Sequence, residues 1–341
     1  MGTVPGTGPA PANSPPAIVV CHGLGKSFDG HAVVHDLDLA IPAGTIVGLI
    51  GPSGCGKTTT VRLLTGLYEP TTGEAWVDGT RATELSHSQR ARIGYLPQIP
   101  ALFPELSLWE NLSFHASMYG LRLRRRRRLR QLLDWVELTD DRDKRVRAAS
   151  GGMQRRLALA AAFVHDPTLV FLDEPTAGID PILRAKFWGQ FQELRDAGRT
   201  LLVTTQYVGE AAECDLVGVL SDGELVVLDT PANLLRAAYG GDVLDVELER
   251  MAPDLDVLQD VDGVVGRPEA VGPTSWQVVV ADASGTCARV RAVLERAGAD
   301  VVDVRDHPVD YDESFVRIIE RHRAETAERA DRAERAERVP A

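Results

Sequence analysis

The sequence predicts an α/β fold built on a parallel sheet, with an antiparallel β subdomain and an α-helical insertion, followed by a small α+β domain. Three observations lead to this prediction. Short apolar runs, typical of buried parallel strands, occupy residues 45–50, 169–172 and 201–205. Segments with the apolar spacing of amphipathic helices separate these runs. The chain has 341 residues, more than one hydrophobic core usually supports, so a second and smaller domain is expected.

The composition indicates a globular protein and argues against several classes of partner. The formal net charge is -12, whereas a nucleic-acid-binding domain is normally basic, so no nucleic acid is expected. No apolar stretch approaches the roughly 18 residues that a membrane span requires, and no secretory signal opens the sequence, which predicts a cytosolic chain. The four cysteines are scattered without a C-x-x-C pair, which predicts reduced thiols and no zinc site.

The first 16 residues are rich in glycine, proline and alanine, which predicts a disordered leader. Two strands are expected next, at residues 18–24 and 33–41, the second because its apolar residues alternate. The segment between them contains Phe28. An aromatic ring at this point could stack on a purine, although an isolated phenylalanine more often packs in a core.

The segment GPSGCGKTT, residues 51–59, joins a predicted strand to a predicted helix. It fits the phosphate-binding pattern G-x-x-x-x-G-K-[ST] in the strand, loop and helix context that the pattern requires. Its glycines allow backbone N–H groups and the helix N-terminus to face polyphosphate oxygens. Lys57 is expected to reach the β and γ phosphates, and Thr58 to offer its hydroxyl to Mg²⁺. The residues expected around the phosphates are Gly51, Ser53, Gly54, Cys55, Gly56, Lys57, Thr58 and Thr59.

Cys55 has two interpretations in this loop. A cationic neighbour such as Lys57 could lower the pKa of the thiol and make it reactive. A small spacer in a tight turn is the simpler interpretation, and we favour it. The reactive-thiol interpretation requires a lowered pKa of the Cys55 thiol, whereas the spacer interpretation does not.

A helical insertion follows the phosphate loop. After a hairpin around residues 74–79 and a strand at 92–96, the chain passes Gln98, and the apolar spacing becomes helical from residue 107. An α-helical subdomain is therefore expected over about residues 99–165.

Seven arginines lie between Arg122 and Arg130 within this insertion. A contact with lipid headgroups or nucleic acid is one interpretation, and a solvated helix face near a membrane partner is the other. The solvated face is favoured, because seven residues make a single patch on an acidic protein.

Ser150 precedes a helical stretch and is placed as its N-cap. Gly151 and Gly152 at the helix start would let another molecule's phosphate approach closely. The next buried strand ends at Asp173 and Glu174, and two carboxylates there are costly unless a cation or ligand compensates them. Asp173 suits Mg²⁺, and Glu174 can point at a water molecule instead.

The remainder predicts a helix at 182–194, a strand ending at Gln206, a helix through Cys214 and a hairpin over 217–228. Beyond residue 240 the order is β-α-β-β-α-β, which predicts a ferredoxin-like α+β domain over 241–321. Its elements are expected at 243–248, 254–261, near 264, 276–280, 287–297 and 301–305. A closing helix is expected at 312–321. The tail, residues 322–341, is rich in Ala, Glu and Arg, which predicts a solvated helix or disorder.

Residues 18–238 resemble the ATP-binding subunit of an ABC transporter, with the family's motifs in the family's order and spacing. The resemblance implies an ABC ATPase domain of the P-loop NTPase fold over residues 17–240, binding ATP and Mg²⁺ and hydrolysing ATP. By this resemblance, Phe28 stacks on adenine and residues 51–59 are Walker A. Gln98 is the Q-loop glutamine, which touches Mg²⁺ and the attacking water and senses the membrane subunit. The resemblance also implies that Ser150, Gly151, Gly152 and Gln154 belong to the signature sequence, that Asp173 is the Walker B aspartate, that Glu174 is the catalytic glutamate and that Asp180 ends the D-loop.

Two departures from the family pattern matter. The signature reads ASGGMQ instead of LSGGQ, which keeps the serine and both glycines. Gln206 stands where the family usually has its switch histidine; its amide can donate a hydrogen bond to the γ phosphate but cannot hold a proton. Residues 204–207 resemble the drug exporters typified by daunorubicin and doxorubicin resistance ATPases, which pair with a separate ABC-2 type membrane protein, and residues 311–319 fit that branch.

The resemblance implies a homodimer of ATPase subunits, peripheral to the cytoplasmic face of the membrane, that drives export of drugs or other hydrophobic compounds through an ABC-2 type permease. A soluble ABC ATPase acting on DNA or ribosomes is the competing class, and only about fifty residues separate Gln98 from Ser150, without heptads or metal-binding cysteines. An importer, or an exporter of lipid, polysaccharide or peptide, also stays open, because the membrane subunit selects the cargo.

Overall fold

The computed structural model describes residues 16–121, 125–250, 255–307 and 311–337, with side chains described as far as residue 327. The predicted leader, except Pro16, and residues 122–124 of the arginine run lie outside the described residues. The chain divides between Asp229 and Thr230 into two compact units.

The first unit alternates strands with helices. Its strands are β1 (Ala17–Phe28), β2 (His31–Pro42), β3 (Ile46–Ile50), β4 (Thr72–Val77), β5 (Thr80–Arg81), β6 (Ile93–Leu96), β7 (Leu169–Asp173), β8 (Thr200–Thr205), β9 (Leu216–Ser221) and β10 (Glu224–Asp229). Its helices are α1 (Lys57–Leu64), α2 (His87–Arg90), α3 (Leu108–Met118), α4 (Arg126–Trp135), α5 (Gly151–Ala162) and α6 (Pro181–Asp196).

Six strands form the central sheet, in the order β10-β9-β3-β8-β7-β6. All neighbours are parallel except β10, which pairs antiparallel with β9. Every residue of β3, β7 and β8 is buried, as expected for parallel strands covered on both faces. The register places the ends of these strands side by side, with Ile50 opposite Thr205 and Asp173 opposite Thr204. Ligands of open α/β sheets bind at this carboxyl edge.

A second, antiparallel sheet has the order β2-β1-β4-β5. One hydrophobic core joins the two sheets and α1, with Val19 and Leu37 from the antiparallel sheet, Leu49 and Phe171 from the central sheet, and Leu63 from α1. This architecture confirms the α/β fold with an antiparallel subdomain that the sequence predicts.

The helical insertion consists of α3, α4 and α5. Ser107 caps α3 in a capping box with Glu110, and Ser150 caps α5. The helices bury an apolar face made of Leu108, Leu112, Leu129, Leu132, Leu133 and Leu157.

The helix predicted through Cys214 is wrong in type and length. Residues Val208–Glu213 form a 3₁₀ helix, and Cys214 is already extended. The Asp215 N–H donates to the Ile46 carbonyl at 2.9 Å, and its carboxylate accepts from the Ile46 N–H at 2.8 Å. These bonds start β9 beside β3 and leave no room for a further helical turn.

The second unit contains α7 (Pro231–Tyr239), β11 (Asp242–Leu248), β12 (Glu269–Ala270), β13 (Ser275–Val280), α8 (Ala283–Arg296), β14 (Val301–Asp306) and α9 (Tyr311–Glu337). Its antiparallel sheet has the order β12-β13-β11-β14. The domain boundary predicted at residue 240 falls earlier, because α7 lies in the second unit. The closing helix continues far beyond residue 321.

The helix predicted over 254–261 is not formed. Its described residues contain only the 3₁₀ helix Asp256–Leu258. The buried residues Leu255, Leu258 and Val261 recur every third position, which suits a 3₁₀ turn better than an α-helix. The strand predicted near residue 264 is reduced to one bridge between Val264 and Val280. None of the helices described in the two units is long and apolar enough to cross a bilayer.

Candidate ATP site at the carboxyl edge of the parallel sheet

The phosphate loop leaves β3 at Gly51 and enters α1 at Lys57. Gly56 caps α1 with a φ of 105°, which L side chains rarely adopt. A Cβ at Gly51 would lie 2.4 Å from the Leu220 carbonyl oxygen, so the loop passes too close to β9 for any side chain there. Among the residues that the structure describes, no side chain caps α1, and its first N–H groups are therefore available to an anion.

Lys57 is held over this loop. Its side chain is 5% exposed, and Nζ donates to the carbonyls of Gly51 at 2.6 Å and Pro52 at 2.9 Å. These bonds keep the ammonium group beside the backbone that is expected to bind the phosphates. A short ammonium shift from carbonyl to phosphate would complete the charge pairing.

Asp173 ends β7 and is fully buried. Its Oδ1 accepts from the Thr58 hydroxyl at 3.1 Å and from the Thr204 hydroxyl at 2.6 Å. Its Oδ2 is buried and has no hydrogen-bond partner among the described residues. A buried carboxylate oxygen is costly without compensation. Hydroxyl and carboxylate oxygens are ligands that Mg²⁺ accepts, so the residues present fit the ion that the family implies.

Glu174 adopts a left-handed backbone, with a φ of 52°. Its N–H donates to both the carbonyl and the hydroxyl oxygen of Thr204, at 3.0 Å each. A non-glycine residue in this region is strained and persists only where its surroundings determine it. Thr204 thus orients both carboxylate residues, one through its hydroxyl and one through its backbone.

Arg155 is the residue that sequence reasoning missed. It lies on α5, is 6% exposed, and donates from Nη1 to the carbonyls of Pro97 at 2.9 Å and Gln98 at 2.6 Å. Its Nη2 donates to the carbonyls of Asp173 and Glu174. Burial lowers the pKa of Arg155, while the nearby Asp173 and Glu174 oppose that shift. One guanidinium therefore ties the helical insertion, the segment after β6 and the end of β7 together.

Gln98 and Gln206 follow β6 and β8, the two neighbours of β7, and both side chains are exposed. The parallel register brings them to the same edge as Gly51 and Glu174. The structure thus brings the candidate catalytic and metal-binding residues of the chain to one edge of the sheet.

The signature segment lies at the N-terminus of α5. The Ser150 hydroxyl accepts from the Met153 N–H at 3.3 Å. The Gln154 amide donates to the carbonyls of Val146 and Ala149, so this side chain shapes the preceding turn. A Cβ at Gly151 would meet nothing within 4 Å. Within the described ranges, no neighbouring atom requires glycine at that position.

Phe28 and Asp180 complete the predicted set. Phe28 is 38% exposed and meets Tyr68 edge to face, with ring centroids 5.6 Å apart. The Lys26 ammonium lies 5.3 Å from the Phe28 ring centroid. Asp180 caps α6, its carboxylate accepting from the Leu183 N–H at 3.0 Å. Phe28 thus stays partly exposed, whereas Asp180 has a structural role within its own chain.

A buried network next to Gln206 was also missed. The Thr176 hydroxyl donates to Glu210 Oε1 at 2.6 Å, and Arg184 Nε lies 3.7 Å from the same oxygen. The Arg184 guanidinium stacks over the Tyr207 ring at 4.2 Å. These contacts link the segment after Glu174 to the segment after β8.

Cys55 should be slow to react in the folded protein. The residue is 5% exposed, and burial raises the pKa of its thiol although Lys57 opposes the shift. This favours the spacer interpretation.

Because the thiolate is the nucleophile, we expect alkylation of Cys55 by iodoacetamide at neutral pH to be at least about tenfold slower than in the urea-unfolded chain. Peptide-resolved mass spectrometry measures this rate, with the half-buried Cys287 as internal comparison. Equal rates in the folded and unfolded chains would support a reactive thiol.

Comparisons with known proteins agree with this geometry. The family model described as ABC transporter matches residues 34–177. The daunorubicin resistance ATP-binding protein DrrA3 of Streptomyces coeruleorubidus is 36% identical over 302 residues, which are 88% of this chain and 95% of that protein. Nod factor export ATP-binding protein I of Cupriavidus metallidurans is 36% identical over 244 residues, 71% of this chain and 80% of that protein.

A solved structure extends the likeness to a complex with nucleotide. The dimeric post-hydrolysis state of the ATP-binding cassette MJ0796, bound to ADP and Pi, matches with a TM-score of 0.58 and 26% identity, over 62% of this chain and 98% of that chain. The predicted family, fold and ATPase activity are confirmed. Similarity over nearly the whole length of a relative places this chain in the ABC transporter family, as an ATPase subunit that uses ATP and Mg²⁺ and works with a transmembrane permease to power export.

Proposed function

We propose that this subunit drives an ABC-2 type permease from the cytoplasmic face of the membrane, exporting a drug or another hydrophobic compound. Two relatives support the export of such a cargo, one named for daunorubicin resistance and one for Nod factor export. The observation that carries the catalytic part is the pairing of a fully buried Asp173 with a strained Glu174 at the edge where the phosphate loop begins.

The chain's own residues supply binding and proton transfer. Loop N–H groups and the α1 N-terminus bind the phosphates, and Lys57 neutralises the β and γ oxygens. Mg²⁺, held by Thr58 and Asp173 with the Gln98 amide nearby, would spread the negative charge of the transferring phosphoryl group. Glu174 orients the attacking water and holds its proton on the carboxylate. The Gln206 amide donates to the γ phosphate without taking a proton.

A second copy completes the site. The α5 N-terminus carries a positive helix dipole, and its Ser150 and Gly151 are exposed or open to approach. We propose that Ser150, Gly151 and Gly152 bind the γ phosphate of the ATP that is held by the opposite subunit. The two copies would then pair head to tail with ATP between them.

Gly151→Val tests this pairing. The added side chain has open space in the single chain, so stability should change by less than about 1 kcal/mol. In the dimer it would occupy the position of the phosphate, so ATP-induced dimerisation should be lost and turnover should fall at least about tenfold. Gly189→Val is the matched control, because Gly189 lies on α6 with equally open surroundings. Dimerisation of Gly151→Val with ATP, measured by light scattering, would contradict the arrangement.

The permease surface is proposed near Gln98. Large apolar side chains are exposed there, with Ile99 81% exposed, Phe103 45%, Phe114 40% and Met118 67%. Exposed apolar clusters mark protein contacts, and this cluster begins one residue after a side chain of the site. Movement of the permease would therefore reach Gln98 directly.

Affinity purification of the tagged subunit from detergent-solubilised membranes of its native host tests the partner. We expect a multi-span membrane protein of the ABC-2 type to accompany the subunit and to stimulate ATP hydrolysis. Its identity would narrow the cargo. Recovery of ribosomes or nucleic acid with no membrane protein would overturn the transporter partner and restore the soluble class.

A further inference from the structure

Helix α4 concentrates positive charge on an acidic protein. Five arginines and one aspartate lie between residues 125 and 135, in a chain whose net charge is -12. Leu129, Leu132 and Leu133 form the buried face of the helix. The arginines therefore divide into those that hold the helix in place and those that face solvent.

Two of the five arginines are used within the chain. Arg125 donates to the hydroxyls of Ser117 at 2.7 Å and Ser113 at 3.0 Å, both on α3. Arg128 donates to the Phe163 carbonyl at 2.8 Å and pairs with Asp166 at 3.3 Å. These contacts secure α4 against α3 and α5.

The other three arginines are Arg126, Arg127 and Arg130, which we call the arginine surface. All three are exposed, and none takes part in an ion pair among the described residues. Arg142, which is exposed as well, does pair with a carboxylate, that of Asp143 at 3.3 Å. The arginine surface is thus free to meet an anion from outside.

A tryptophan stands beside this surface. Arg126 and Arg130 line a cleft of about 250 Å³ together with Trp109, Arg142 and Asp143. The backbone N–H of Trp109 donates to the Arg142 carbonyl at 2.9 Å, which fixes the backbone of these two cleft residues relative to each other. Guanidinium groups match phosphate oxygens, and tryptophan is enriched where a membrane meets water.

We propose that the arginine surface, with Trp109 beside it, docks on the phosphate headgroups of anionic lipids. A net charge of -12 repels polyanions at long range, so only a local patch pressed against a surface gains from the three guanidiniums. A membrane presents its phosphates to one face in this way, whereas a nucleic-acid-binding domain is normally basic as a whole and this chain is acidic. The inference rests on the proposed membrane location, but the contact requires no permease.

The test uses the full chain and vesicles without any membrane protein. We expect the subunit to sediment with phosphatidylcholine vesicles that contain phosphatidylglycerol, not with pure phosphatidylcholine, and to be released by salt. Each arginine near an anionic surface contributes a factor of about five, so Arg126→Gln/Arg127→Gln/Arg130→Gln should weaken binding well over tenfold. The triple lysine variant keeps the charge and should bind nearly as the parent does.

A matched control separates the surface from net charge. Arg267→Gln/Arg296→Gln/Arg305→Gln removes three exposed arginines of the second unit and should leave vesicle binding unchanged. ATP turnover of each variant reports folding. Brominated phosphatidylglycerol should quench tryptophan fluorescence in the parent and less in Trp109→Phe. Three outcomes would overturn the inference. They are equal binding to vesicles with and without phosphatidylglycerol, an equal loss of vesicle binding in the two triple glutamine variants, and binding to nucleic acid but not to vesicles. Failure to find a permease would leave this result untouched.

Discussion

Glu174→Gln is expected to lower the turnover number for ATP hydrolysis by about 10² to 10⁴, because it removes the carboxylate that accepts the proton of water. ATP affinity should stay within about threefold, since Lys57, the loop N–H groups and Asp173 are unchanged. The amide has the shape of the carboxylate and keeps the backbone bonds to Thr204. Hydrolysis would then stop with nucleotide still bound.

The expected consequence is an ATP-bound dimer that does not dissociate. Size-exclusion chromatography with ATP and Mg²⁺ should show a dimer for Glu174→Gln, and pre-steady-state phosphate release should show no burst. Glu193→Gln, on the exposed surface of α6, is the matched control and should behave as the parent does. Unimpaired hydrolysis by Glu174→Gln would remove this residue from the general-base role.

The parts of the site that sequence predicts are those set by local chemistry. The strand before Gly51 and the helix from Lys57 follow from apolar runs around a glycine loop, and the structure confirms both. A buried strand ending in two acids predicts that Asp173 needs compensation, and within the described part of the chain its Oδ2 has no hydrogen-bond partner. In each case a short stretch of chain determines the geometry.

The parts that sequence did not predict depend on contacts between distant segments. Arg155 carries no signal in the sequence, because no local pattern indicates that four carbonyls converge on it. No local pattern shows that the Gln154 amide donates to the Val146 and Ala149 carbonyls, and its role toward nucleotide stays a prediction. The helix predicted over 254–261 is too short to form from apolar spacing alone, and the described part of this segment holds a 3₁₀ turn.

Arg155→Gln is expected to reduce the turnover number by about 10², because a shift of about 1 Å at Glu174 is enough for such a loss. The guanidinium donates to carbonyls on both sides, at Pro97 and Gln98 and at Asp173 and Glu174. Glutamine is shorter and cannot span them. The KM for ATP should stay within about threefold, since Arg155 touches no residue of the phosphate loop among its hydrogen bonds.

A purely structural role would give a different pattern. Arg128→Gln is the control for the loss of an arginine that bonds to the backbone, because Arg128 donates to the Phe163 carbonyl just after α5 and, among its described hydrogen bonds, to neither Asp173 nor Glu174. Losing a charged hydrogen bond costs about 1.5 to 3 kcal/mol of stability. We expect Arg128→Gln to lower the unfolding midpoint while keeping turnover within about twofold. Lysine cannot reproduce the two-sided fork, so Arg155→Lys should not restore turnover.

Coupling to the permease gives the decisive readout. Arg155 joins the helical insertion, which carries the exposed apolar side chains, to the backbone of Glu174, so its loss should abolish stimulation by the permease in addition to reducing basal turnover. Measuring basal and stimulated rates for the three variants separates these effects. If Arg155→Gln kept its stimulation ratio and lost only stability, in parallel with Arg128→Gln, Arg155 would be a packing residue, and Thr204 alone would position Glu174.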